Sequence, residues 1–573
     1  MKKLSLAPLL IKLILLLPVA VFSIFLGYFA VDVPQGDDFE LILHFLSNYV
    51  SAGNDYAQKG SLLTAQFVEH RLFYTRIVAL LHYLLAGQVS FYLIILIGNL
   101  SLLGIFIVCW RQLKIAGYSL FYLLPVSLIL FQPCYSYDGV LWPAATLAYN
   151  SVSFFAILTI HWLSGRRKLH FGLAILCAAL CTYTFGNGIL ILLVGAGLLI
   201  VQKRWKDLLI WILIAAFITF IYFTGYEKFE SRNNPLDHLT NHTIYTFINS
   251  LVFLGSALNW NETWPKSLDY NDIPSIIAGS IVLITYVHLL FQTCQSWLSS
   301  KKADDQSNSR RHVDFLIGSF SFFVLTGVLL CVSRVDKDQI LMHINRYRIH
   351  SVVGLLLAYF RILPLLKAKS SFYSLAVISI AGCWILSFFH FYSIFSEFNR
   401  VYTAGQHNWV TTHQWFIYRD TSYWEEASKM VMNKADTTIN YRIIQSPFTK
   451  VDAKEEIVND FKVERSEADK VLKITGSAPN LGFFGKREDY YIAFKNLSQS
   501  ITYVIPATYD RRSVKLVVMG QNYYYPHFYS HLTYRHFPTG QYQIGIAQSK
   551  DRKLEIKWQP ITFDAVQESN LTH

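Results

Sequence analysis

Three groups of residues in this 573-residue chain combine types and spacings suited to chemistry. The first is G-D-D-F-E, in which Asp37 and Asp38 stand side by side directly behind a long apolar run that ends near Ala30. A carboxylate placed there can take the proton of an attacking hydroxyl or hold a divalent cation. The plainer alternative is that Asp37 or Asp38 caps a helix beginning at Phe39, with Glu40 favouring its N-terminal dipole. The second group is V-E-H-R, carrying Glu69, His70 and Arg71, with Arg76 five residues on. Glu69 and His70 are neighbours in sequence and would point apart on a helix, so they do not form a metal pair by themselves. The third is N-R-Y-R-I-H, where Arg346 and Arg348 present guanidinium forks that match phosphate oxygens, or else grip lipid headgroups.

The elements that must position these groups are membrane helices. The chain is 53% hydrophobic, 16% aromatic and only 15% charged, against the roughly 25% charged residues of a soluble domain. Its net charge of +12 sits mainly in short loops between apolar runs, a pattern of membrane topology rather than of nucleic-acid binding. The seven cysteines show neither a disulfide framework nor zinc-ligand spacing. The N-terminal apolar stretch exceeds a signal-peptide core of about 7–15 residues, so a retained first span with a cytoplasmic start is expected.

Basic loops at Arg111–Lys114, Gly165–Lys168, Lys203–Lys206, Lys301–Arg311 and Lys367–Lys369 mark one face as cytoplasmic. Counting crossings between them leaves about eleven spans, the last at 371–394, with the N-terminus inside and the C-terminus outside. Parity demotes two apolar runs, Leu72–Ala86 to an interfacial helix and Thr243–Leu258 to a non-spanning segment. On that topology the first external loop is 31–90. Asp138 and Trp142 (Y-S-Y-D-G-V-L-W-P), Asn187 (T-F-G-N-G, between two closely joined spans) and the late arginines all fall on the same external side. The expected organisation is an α-helical polytopic membrane domain over 1–394, a connector over 395–439 with a short helix near Trp424–Met432, and an external β-rich domain over 440–573. There V-K-L-V-V-M-G, Q-Y-Q-I-G-I-A and K-L-E-I-K-W read as strands of an antiparallel domain, with a sandwich as the favoured form.

An external acid pair together with arginines at the membrane surface suggests transfer of a sugar from a lipid-borne phosphate ester to a hydroxyl acceptor. The departing phosphate is already anionic, so no general acid is needed, unlike glycoside hydrolysis. The first 370 or so residues resemble the polytopic GT-C glycosyltransferases, which use polyprenyl-phosphate sugars, and within them a bacterial set of envelope glycosyltransferase-like proteins. The resemblance rests on Asp37-Asp38-Phe39, Glu69-His70-Arg71, Asn187-Gly188 and Arg346-Tyr347, in that order.

It implies an inverting enzyme of a bacterial inner membrane, with Asp37 or Asp38 as base or metal ligand and an envelope glycan or lipid as acceptor. Glu69, His70 and Arg71 would line the substrate cavity, with Asp138, Trp142 and Asn187 as further substrate-binding residues. Arg346 and Arg348 would hold the lipid phosphate. A divalent cation, Mg2+ or Mn2+, is left open. Competing expectations are an O-antigen polymerase or ligase, a transporter of lipid-linked sugars with a helix break at Gly186-Asn187-Gly188, and a non-catalytic glycan-binding protein using the aromatics of Gln521–Tyr529.

Overall fold

The computed structural model describes residues 6–227, 241–260, 267–298, 308–334, 342, 344–415, 422–440, 446–458, 460–466, 471–479, 481, 488–533 and 537–565. The chain divides into two compact units. One comprises 1–28, 52–82 and 93–391, and the other 29–51, 83–92 and 392–573.

The first unit is helical. Among the described residues of the chain, nine helices are long and apolar enough to cross a membrane. The expected spans at 169–184 and 187–202 appear as the shorter helices Lys168–Thr182 and Gly186–Val201, which brings the long spans to fewer than the eleven expected. Phe73–Ala86 is a helix of 14 residues, about 21 Å long at 1.5 Å per residue and so too short to cross.

The expected span at 116–132 falls in Leu120–Val140, one of the nine, which is not one continuous α-helix. A 3-10 turn, Leu120–Leu123, leads into Leu124–Leu130, and after a break come the short turns Pro133–Tyr135 and Ser136–Val140. The break has a local cause: Gln132 precedes a proline and is extended (φ −135°, ψ 155°), and Ser136 takes a positive φ of 55°.

Thr243–Gly255, which parity demoted, is not among the nine long helices and packs closely on Ile273–Leu298. Glycines permit the approach: a Cβ on Gly255 would lie 1.9 Å from the Ser275 carbonyl oxygen, and one on Gly279 1.9 Å from that of Leu251. Small residues at facing positions let two backbones touch, the usual way apolar helices associate without a hydrophobic driving force.

The second unit carries the β-structure. A helix of 43 residues, Ser370–Thr412, runs about 65 Å and does not stop at residue 394, as the loss of strong hydropathy there suggested. Ser422–Thr438 forms the helix expected near Trp424–Met432. A two-stranded ribbon, β1 (Gln66–Phe67) and β2 (His70–Arg71), belongs to the first unit. The C-terminal strands are β3 (Lys450–Glu455), β4 (Lys462–Ser466), β5 (Val471–Ser477), β6 (Glu488–Asn496), β7 (Thr502–Pro506), β8 (His527–Thr533), β9 (Gly540–Lys550) and β10 (Lys553–Ala565).

They make a five-stranded sheet, order β3-β10-β9-β6-β7, and a three-stranded sheet, β4-β5-β8. All pairings are antiparallel except β3 with β10. Alternation assigns the faces of the larger sheet. Tyr491, Ala493, Val504, Ala547 and Trp558 share a buried core with Ala404 of the long helix, whereas Phe494, Phe537, Tyr542 and Phe563 form an aromatic cluster with centroids 5.1–6.0 Å apart. The Asn408 amide meets both backbone groups of Val504 at 2.9 Å, satisfying edge strand β7 as a neighbouring strand would.

V-K-L-V-V is not a strand. Val514–Val518 is a short exposed helix, closed by Gly520 at φ +89° with the Gly520 N–H on Val517 O and the Gln521 N–H on Leu516 O. This is a glycine-terminated helix end, and it overrides the β-propensity of the three valines.

Candidate functional site

In the segment that follows the first span Gly36 adopts φ +45°, closing a turn in which the Asp38 N–H donates to Gln35 O and the Gln35 N–H donates to Asp38 Oδ2, both at 2.9 Å. Asp38 is wholly buried and gives no side-chain cap to the helix behind it. Its carboxylate holds the turn instead. Asp37 is only partly buried, and its carbonyl accepts the Leu41 N–H at 2.8 Å.

The following turn, Phe39–His44, is π-helical and continues as Phe45–Ser51. Glu40 meets His44 Nδ1 at 2.6 Å, and the hydrogen bond from this histidine holds the Glu40 carboxyl below its ordinary range. Asp32, an acid not singled out in the sequence, accepts from Ser90 Oγ at 3.1 Å and from the Tyr92 N–H at 3.0 Å, in the first turn of Phe91–Ile115.

The E-H-R group lies at the β1–β2 ribbon of the first unit, where Gln66 pairs with Arg71 and Phe67 with His70. Arg71 spends its fork on three backbone carbonyls: Thr64 at 2.5 Å, Tyr222 at 2.6 Å and Thr224 at 2.5 Å. Arg76 donates to the carbonyl of Ala65. Both guanidinium groups therefore neutralise orphan carbonyls where helix Tyr56–Thr64 ends. Burial, and then the charge of Arg71, pull Arg76 down to about 10. Glu69 contributes its carbonyl to the Tyr226 hydroxyl at 3.2 Å. The His70 ring lies against Phe185, centroids 4.2 Å apart and planes tilted by 46°, with Gly186 beside it, where a Cβ would lie 2.4 Å from His70 Nδ1.

From His70 a line of rings reaches the late arginines. Phe185 lies 4.5 Å from Tyr149, and Tyr149 lies 5.4 Å from Tyr347. Arg346 stands over both Tyr347 (5.8 Å) and Trp142 (5.7 Å), a cation between two π faces. Asp138, on the turn Ser136–Val140 that abuts Asn345–Tyr347, feels the charges of Arg346 and Arg348.

Trp142 Nε1 and Arg346 Nε are buried without a hydrogen-bond partner among the described residues. Arg348 is fully buried, donating to Cys134 O at 2.8 Å and lying 5.6 Å from the Phe391 ring. It braces the broken segment against Arg348–Ala368. Asn187 is buried in the 3-10 turn Gly186–Ile189, with Nδ2 3.3 Å from Thr326 Oγ1. His343 lies outside the described residues.

Within the first unit, then, His70, Asp138, Trp142 and Arg346 belong to one connected polar and aromatic cluster, Asn187 is held apart from it by Thr326, and Asp37 and Asp38 belong to the other unit. The rings of Tyr149 and Phe185 escaped the sequence reading. Phe185 stood in the quoted T-F-G-N-G, but Tyr149 sits in a second π-helical turn, Thr146–Asn150, that no periodicity announces. Among the described residues no three His, Cys, Asp or Glu side chains gather to hold a metal ion.

The fold and the apolar helices define a multi-pass helical membrane protein with a β-rich C-terminal region. Comparison with protein-family models, curated proteins and solved structures finds no match.

Proposed function

We propose that the protein is a membrane glycosyltransferase of the GT-C type, moving a sugar from a polyprenyl-phosphate donor to an envelope glycan or lipid acceptor outside a bacterial inner membrane. The observation that carries this reading is the division of labour in the acid pair. Asp38 is consumed by its turn, and its rigidity presents the neighbouring, partly exposed Asp37 at the end of the first span. In this reading Asp37 accepts the proton of the acceptor hydroxyl as that oxygen bonds to the anomeric carbon. The carbon–oxygen bond to the lipid phosphate breaks with inversion, and the phosphate departs as an anion.

Arg346, held between Trp142 and Tyr347 with Nε unspent, is the side chain best suited to an anionic group. A divalent cation would need only one or two carboxylates together with substrate phosphate oxygens, so Asp37, the partly exposed member of the pair, is its natural protein ligand, and it would neutralise charge on the leaving phosphate.

The test is transfer by the full-length protein in lipid nanodiscs, from a panel of radiolabelled polyprenyl-phosphate sugars to extracted envelope glycans, with and without a chelator. Product formed from one donor class supports the proposal, and inactivity with every donor contradicts it. A second reading, transport of a lipid-linked sugar, is favoured by the helix break at Phe131–Ser136 beside Asp138, Arg346 and Arg348, since irregular backbone among buried charges marks many substrate paths. Movement of the donor between leaflets without sugar transfer would select it.

A further inference from the structure

A cavity of about 670 Å³ opens within the first unit where four helices end or begin, bordered by Gly117, Tyr118, Gln292, Ser309, Arg310 and Arg361. Among the described residues its lining contains two arginines and a histidine, His312, and no carboxylate. Deeper in, the walls are apolar: Ile115, Leu289, Leu316 and Phe360. Arg361 and Arg348 lie on the same helix thirteen residues apart, so the cavity is about 20 Å along that helix from the late-arginine cluster.

The two arginines are not equivalent. Arg310 is paired with Asp314 at 3.1 Å, and Asp314 is further held by Gln202 at 3.0 Å. Among the described residues Arg361 has no carboxylate partner. Its Nη2 donates to Gln292 Oε1 at 2.6 Å and lies 3.3 Å from His288 Nδ1, whereas its Nε is buried without a partner among the described residues. A guanidinium half satisfied by neutral groups, in a cavity with a positive rim, is poised for an anion.

The surroundings fix what kind. Lys367 lies over the Tyr118 ring at 5.4 Å, and Lys203 over Trp297 at 5.3 Å. Aromatic rings carrying cations at the ends of apolar helices mark the boundary between hydrocarbon and water. A ligand there meets a cationic polar mouth and an apolar interior together.

We propose that this cavity binds the headgroup phosphate of an anionic phospholipid, with Arg361 as the principal contact and the acyl chains along the apolar wall. Basic pockets between membrane helices recognise anionic headgroups through such contacts. The inference is independent of the glycosyltransferase reading and survives its failure.

The purified full-length protein in neutral detergent would be titrated with phosphatidylglycerol, phosphatidylcholine and inorganic phosphate, reading bound lipid by native mass spectrometry and stability by thermal unfolding. Phosphatidylglycerol is expected to bind at least ~10-fold more tightly than phosphatidylcholine, and Arg361→Gln to remove that preference, because the charged hydrogen bonds to the headgroup phosphate are lost. Lys168→Gln, an exposed basic change outside the cavity, should leave it intact. Should Arg361→Gln not fold, Arg361→Lys carries the test, since it keeps the charge, loses the fork and should bind more weakly than wild type. Undiminished phosphatidylglycerol binding by the folded Arg361 variants, equal binding of phosphatidylcholine, or stabilisation by inorganic phosphate equal to that by the lipid would overturn the proposal.

Discussion

At the scale of single residues, the same side-chain type serves unlike ends according to where its partners lie. Arg71 was placed beside Glu69 and His70 as a substrate contact, yet its donors go to carbonyls at 64, 222 and 224. Two of these lie more than 150 residues away in sequence, so no local pattern could reveal them. Arg71→Gln is expected to lower stability by about 2–4 kcal/mol, since several charged hydrogen bonds are lost from a buried site; thermal unfolding in detergent measures it. Arg71→Lys should rescue little, because one ammonium cannot reproduce a planar fork.

Arg346→Gln belongs to the proposed chemistry and should raise KM for the lipid donor about tenfold or more while leaving unfolding unchanged within about 1 kcal/mol, as steady-state kinetics and melting would show. The Glu40–His44 pair gives a pH expectation. Because the Glu40 carboxyl is held below its usual range, its contribution is present at neutral pH and lost as pH falls through the depressed value. The pair is exposed, so removing it by Glu40→Gln should cost less than about 0.5 kcal/mol at pH 7 and progressively less as the pH falls through the depressed value, as parallel melts would report.

At the scale of elements, legibility followed length and composition. That Phe73–Ala86 is a helix too short to span was readable because an apolar run of that length, interrupted by Arg76 and His82, cannot cross. The end of the helix at Leu130 falls within two residues of the expected span end at 132, whereas the short turns Pro133–Tyr135 and Ser136–Val140 that follow were hinted at only by Pro133. Gly255 and Gly279 carried no signal in a single sequence, although their contact decides how Thr243–Gly255 packs. Gly255→Ala or Gly279→Ala places a methyl group where a backbone oxygen already stands. Each is expected to destabilise by about 1–3 kcal/mol, the range of overpacking in a rigid core, which a shifted thermal midpoint would register.

At the scale of the whole molecule, the change of composition near residue 395 correctly announced a β-rich region. It did not reveal that the long helix continues to Thr412 and supplies Ala404 and Asn408 to the larger sheet. Nor did it reveal that 29–51 and 83–92 join the C-terminal unit, because membership depends on contacts far apart in sequence. The sidedness read from the basic loops is testable separately: a phosphatase reporter fused at the C-terminus should be active, and one inserted near Lys302 inactive.

The most direct measurement of the central claim compares sugar transfer by Asp37→Asn, Asp38→Asn and wild type under identical donor and acceptor concentrations. The proposal predicts that Asp37→Asn keeps the wild-type melting temperature and loses about 100-fold or more in rate, the range of general-base contributions. Asp38→Asn should lose stability along with activity, because its carboxylate closes the Gln35–Asp38 turn. Wild-type transfer rates in a folded Asp37→Asn protein would contradict the assignment and remove the acid pair from the chemistry.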